Sequence, residues 1–129
     1  MKIKLGTVGH FGLAVREPRK SARWWKSLFD LREEPFSNRD VVGLSSQDVT
    51  IVLMRGVPRP KAIEHMSFHL PNLKALRSAL ATLKRHRVAV EDPGDEIGPE
   101  GPGSKNLGLW FRDPDGYRWE LSVLARSRR

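Results

Sequence analysis

The sequence predicts an α+β fold made of two βαβββ modules. Three observations predict it. Two segments carry apolar residues at helical spacing, around "KSARWWKSLFDL" and after Asn72. Each follows one short alternating segment and precedes three more. Between the two sets lies Gly56-Val57-Pro58-Arg59-Pro60, in which two prolines and a glycine stop any strand.

Residues 7–15 open the chain as a strand, with Phe11, Leu13 and Val15 alternating against His10, Gly12 and Ala14. Pro18 suits the first turn of a helix. Ala22, Trp25, Leu28 and Phe29 form that helix's apolar stripe, so Trp25 belongs to the core and Trp24 to its flank. Strands are expected near 31–37, 40–45 and 48–54. The pattern then restarts with a strand over 63–70. Asn72 is a candidate N-cap for a helix whose stripe is Leu73, Leu76, Leu80 and Leu83. Strands follow near 87–91, 107–112 and 117–124. Asp113-Pro114-Asp115-Gly116 between the last two is turn chemistry, since proline pre-sets φ and glycine accepts φ > 0. Residues 92–106, rich in Gly and Pro and without periodicity, form a candidate lid.

The element order repeats, and two local matches set the register of the repeat. "GHFGLAV" (9–15) aligns with "EHMSFHL" (64–70) and places His10 over His65. "TIVLM" (50–54) aligns with "RWELS" (118–122) and places Val52 over Glu120. Module 1 is expected over about 5–56 and module 2 over about 62–124. Together they form a single domain over 1–129 with a basic tail at 125–129.

At 129 residues the chain is long enough for one domain with a real core. It has no cysteine, which excludes disulfides, thiolate metal sites and cysteine nucleophiles. It has no 18-residue apolar run, so no membrane partner is expected, and the Gly-broken start does not read as a signal peptide. A cytoplasmic location is the expectation. The net charge is +8, with basic residues spread along the chain. A nucleic-acid partner would call for a clustered patch or a recognition motif, and neither is present.

In "YRWEL" (117–121), alternation puts Tyr117, Trp119 and Leu121 on one face and Arg118 and Glu120 on the other. If the modules curl their sheets around one concavity, His10, His65 and Glu120 approach from three strands. Two imidazoles and one carboxylate on one side of a divalent ion leave positions open for water and substrate oxygens. The bland alternative is a solvated Glu120 and two histidines that are ordinary core or surface residues.

The span from Val8 to Val123 resembles the vicinal oxygen chelate superfamily, which includes glyoxalase I, bleomycin-resistance proteins and extradiol dioxygenases. The resemblance is carried by "GHFGLAV", "ARWWKSLFDL", "EHMSFHLPN" and "LWFRDPDGYRWEL". It implies paired modules forming an open barrel-like sheet around a shared cavity. It implies a divalent metal (Fe, Mn, Zn, Ni or Co) held by His10, His65 and Glu120. A fourth ligand position of the family falls on Val52, which cannot ligate. That departs from four-ligand glyoxalases and matches three-ligand dioxygenases and fosfomycin-type transferases. The latter usually carry a threonine two residues after the first histidine, where this chain has Gly12.

The expected function is a metalloenzyme whose small, oxygen-rich substrate chelates the ion. A ring-cleaving dioxygenase, a lyase or isomerase, or a thiol transferase would each fit. Glu120 and His69 are the candidate acid–base groups, His69 being otherwise a rim or surface residue. Val52 would line the pocket, Ser104, Lys105 and Asn106 could hold a polar or anionic substrate, and Arg112 is either a clamp or a surface charge. The alternative function is a metal-free drug-binding resistance protein. Such proteins favour acidic clefts for cationic drugs, and the charge of +8 argues against it. A homodimer is expected, because open sheets leave edges to cover.

Overall fold

A computed structural model of the chain describes residues 1–91 and 96–127. The start of the candidate lid (92–95) and the tail residues Arg128 and Arg129 lie outside the described residues. The chain divides into two compact units, Met1–Pro58 and Arg59–Arg129.

In the first unit, β1 (His10–Val15) leads through α1 (Pro18–Leu28) to β2 (Arg32–Glu33), β3 (Val41–Ser45) and β4 (Thr50–Arg55). The sheet order is β1-β4-β3-β2, with β1 parallel to β4 and the rest antiparallel. A parallel pair needs a crossover, and α1 is part of it. Pro18 stands in the first turn of α1, where its missing N–H costs nothing. The buried stripe Ala22 and Trp25 packs on β3 and β4, over Leu44, Ile51 and Leu53. Trp25 is also flanked by Trp24 and Phe29, at ring separations of 5.2 and 5.3 Å.

In this unit β1 and β2 fall well short of what the sequence predicts. Residues 7–9 stay outside the sheet, although the Gly9 carbonyl still accepts from Thr50 N. The expected strand at 31–37 is confined to Arg32–Glu33, because the chain turns at Pro35 and Phe36, where Ser37 N donates to the Glu34 carbonyl.

The second unit opens with a 3-10 turn (Pro60–Ala62). It continues through β5 (Met66–His69), α2 (Leu73–Arg85), β6 (Gly98–Pro99), β7 (Leu107–Arg112) and β8 (Arg118–Val123). Its order, β5-β8-β7-β6, and its single parallel pair repeat the first unit. Asn72 caps α2 by accepting from Ala75 N at 2.9 Å, and Leu76 and Leu83 bury the helix against the sheet. The strand expected at 87–91 is absent. Arg87 takes a left-handed φ of 60°, and only Val90 makes an isolated bridge, to Phe111. Its place in the sheet goes to Gly98–Pro99, inside the segment expected to be all loop.

The β7–β8 turn is held from within. Asp113 Oδ1 accepts from Asp115 N and Tyr117 N, and its Oδ2 accepts from Trp119 Nε1 at 3.1 Å. Gly116 supplies the positive φ of 91°. In the first unit Gly12 pairs with Val52, and in the second Ser67 pairs with Glu120. Each pair begins two residues after a histidine, which is the register the sequence repeat assumes. Among the described residues no helix is long and apolar enough to cross a membrane.

Candidate functional site

The chemistry of the second unit gathers on the sheet face turned away from α2. On β8, Trp119 and Leu121 join the helix-side core, where Trp119 stacks on Phe68 at 5.5 Å. Alternation turns Arg118, Glu120 and Ser122 to the other face. Glu120 is only 1% exposed, so this face buries a carboxyl group.

Its neighbours come from both flanking strands. Ser67 lies opposite it on β5, and the Ser67 hydroxyl also pairs with that of Ser122 at 2.9 Å. Trp110 lies opposite it on β7. Gly108 makes room for the carboxyl: a Cβ there would stand 2.7 Å from Glu120 Oε2 and 3.1 Å from the Leu121 carbonyl. Glu120 Oε2 is buried and has no hydrogen-bond partner among the described residues.

Burial pushes the Glu120 carboxyl up to about 7; the Ser67 hydroxyl pulls it down, the carboxylate of Glu100 raises it further, and His65 opposes that. Glu100 is itself tied to the loop, accepting from Asn106 Nδ2 at 3.2 Å. A buried carboxylate beside a second carboxylate calls for a proton or a cation.

His65 directly precedes β5. Its Nδ1 lies 3.2 Å from Glu64 Oε1, and its ring meets Trp110 edge-on at 4.5 Å. His69 is exposed on β5 opposite Ser122, on the same face as Ser67. In the first unit, exposed His10 opens β1, and half-buried Val52 lies on the same sheet face, away from buried Ile51 and Leu53. Among the described residues no three His, Asp or Glu side chains stand close enough to hold an ion.

The remaining candidates have local roles. Ser104 Oγ accepts from Asn106 N, and Asn106 Oδ1 accepts from Ala125 N. Lys105 is exposed. Arg112 donates to Glu91 Oε2 at 2.8 Å and to the Gly116 carbonyl at 3.0 Å, bracing the turn.

Sequence reasoning passed over Glu64, Ser67, Glu100, Gly108 and Trp110. Alternation from Glu120 through the hairpin would have found Gly108 and Trp110, and alternation from His65 would have found Ser67. Nothing local marks Glu100.

The sequence model of the Glyoxalase/Bleomycin resistance protein/Dioxygenase superfamily matches residues 7–121. The chain belongs to this superfamily. No curated protein matches it. Among solved structures it resembles an integron cassette protein from the Halifax Harbour sewage outfall metagenome, with a TM-score of 0.76 at 16% identity over 93% of this chain and 100% of that one. It also resembles lactoylglutathione lyase from Agrobacterium tumefaciens, with a TM-score of 0.72 at 14% identity over 92% and 94%. A third is the fosfomycin resistance protein FosX from Listeria monocytogenes, with a TM-score of 0.69 at 17% identity over 95% and 94%. At these identities the likeness is one of fold.

Proposed function

We propose that this superfamily member is a divalent-metal-dependent enzyme acting on a small substrate that chelates the ion through two neighbouring oxygens. The observation that carries the reading is Glu120, a buried carboxyl with one oxygen unpartnered among the described residues, on a face where Gly108 leaves room for it. Burying a carboxylate this way is costly unless a cation compensates it. The donor set suits Fe, Mn, Zn, Ni or Co: imidazole nitrogens of His10 and His65 and the Glu120 carboxylate.

A bound ion would supply Lewis acidity toward the substrate oxygens. In this reading Glu120 and the two histidines hold it, and Val52, where a fourth ligand would stand, leaves a position for the substrate. His69 is the proton-transfer candidate. Ser104 and Lys105 serve substrate binding at the loop, while Asn106 and Arg112 contribute by ordering the loop and the turn. The protein acts as a homodimer in the cytoplasm.

The test is metal analysis of protein purified without chelator. It is followed by titration with Mn, Ni, Zn, Co and Fe and assays on catechols, 2-oxoaldehydes, epoxides and CoA thioesters. Stoichiometric binding, lost in Glu120→Gln and His65→Ala, is expected. Failure of the wild type to bind any of these ions would favour the metal-free drug-binding reading instead.

A further inference from the structure

Four side chains on the second unit, His65 among them, form a closed ring of contacts. Its Nδ1 lies 3.2 Å from Glu64 Oε1. The same Glu64 oxygen accepts from an Arg118 terminal nitrogen at 3.2 Å. The Arg118 guanidinium lies over the Trp110 ring, 4.2 Å from its centroid, and Trp110 meets the His65 ring edge-on at 87°. Arg118 also donates to Glu91 Oε1 at 3.3 Å, which steadies the guanidinium from outside the ring.

We propose that Glu64 is a positioning residue that fixes His65 with its proton on Nδ1 and presents Nε2 as the donor atom of the site. The proposal rests on the metal-site reading only for what Nε2 then does. The tautomer assignment stands on the contacts themselves. An ionised carboxylate can only accept, so the short Nδ1–Oε1 contact requires the proton on Nδ1. Glu64 is exposed and the same oxygen faces the Arg118 guanidinium, so the group is a carboxylate at neutral pH. A neutral imidazole with one nitrogen donating has its lone pair on the other. The edge-on Trp110 ring restrains the imidazole plane. A carboxylate behind a ligating histidine orients the ring and raises its basicity, and loss of such a partner typically costs 10–100-fold in metal affinity.

Long-range proton–nitrogen NMR on metal-free protein above the histidine titration range reads the tautomer directly. His65 signals are assigned by their loss in His65→Asn. Wild type should show a pyrrole-like Nδ1 and a pyridine-like Nε2. Glu64→Ala should lose this pattern, and Glu64→Gln, whose amide oxygen can still accept, should retain most of it. Glu91→Ala, which removes an ion pair of Arg118 without touching His65, should leave it unchanged. Titration with Ni should show affinity falling about 10–100-fold in Glu64→Ala and largely restored in Glu64→Gln.

A wild-type His65 protonated on Nε2, a pattern unaltered by Glu64→Ala, or an equal change in Glu91→Ala would each overturn the proposal. If the NMR pattern depends on Glu64 as expected but wild type binds no ion, the positioning role holds and the metal reading fails.

Discussion

Glu120 makes the sharpest prediction about a single residue. Its carboxyl is raised from an ordinary 4.5 to about 7 in the folded chain. Between those values the folded state holds a proton that the unfolded state has released. Metal-free stability therefore falls as pH rises from about 4.5 to about 7, by on the order of 3 kcal/mol from this group, and levels off above. Glu120→Gln removes the titration. Urea unfolding should find the variant similar to wild type near pH 4.5 and more stable than wild type at pH 8. A difference between the two that does not change with pH would disprove the assignment.

Gly108 is the companion test. An added Cβ would meet Glu120 Oε2 at 2.7 Å and the Leu121 carbonyl at 3.1 Å, so the carboxyl must swing and the strand must give. Gly108→Ala should cost about 1–3 kcal/mol and weaken metal binding along with stability. Unchanged values for both would mean that the carboxyl does not lean over β7.

At the scale of elements, the start of α2 and the β7–β8 turn are each secured by a single side chain. Asn72 satisfies a donor that the first turn of α2 would otherwise leave open. Asn72→Ala should cost about 1 kcal/mol in chemical denaturation. Asp113 carries more, because its two oxygens take three donors in a buried turn. Asp113→Ala leaves those donors without their acceptor and should cost about 2–4 kcal/mol, well above the helix cap. A cost for Asp113→Ala no larger than for Asn72→Ala would show that water replaces the carboxylate freely. Arg112 belongs to the same construction. Its contacts with Glu91 and the Gly116 carbonyl tie the segment after α2 to the hairpin, and so help position the strand that bears Glu120.

At the scale of the whole molecule, the proposed ligands come from both units, so ion binding should stabilise the chain as one. An ion present at a hundred times its dissociation constant adds about 2.7 kcal/mol by mass action. That corresponds to a rise in melting temperature of about 10 °C for a chain of this size. Thermal scans with Ni or Mn should show the rise in wild type and lose it in His10→Ala, His65→Ala and Glu120→Gln alike. A full rise in His10→Ala would remove the first unit from the site. Val52 pairs with Gly12 as Glu120 pairs with Ser67. Val52→Glu therefore offers a fourth ligand, an oxygen, and calorimetry should show tighter ion binding. Unchanged affinity would mean that Val52 does not face the ion.

The sequence by itself determined the element types, the repeat and the faces. Period-2 alternation assigns Glu120 to the side opposite Trp119 whatever the surroundings, and helical spacing puts Trp25, Leu76 and Leu83 in the core. The register of the repeat was also legible, because the motifs after His10 and His65 are local. Only the tertiary structure decided that Glu120 is buried rather than solvated. That depends on what the neighbouring strands and the loop after β6 bring: the missing side chain of Gly108, the hydroxyl of Ser67 and the carboxyl of Glu100, all distant from residue 120 in the chain. It also decided that β6 forms at Gly98–Pro99 instead of 87–91. Strand pairing is set by long-range partners, here Leu107 and Gly108, and the left-handed turn at Arg87 carries no signal in residue type. Arg112 and Asn106 have the composition of substrate-binding residues, yet Glu91, Glu100 and backbone groups take their polar atoms, because folding brings those partners within hydrogen-bond reach.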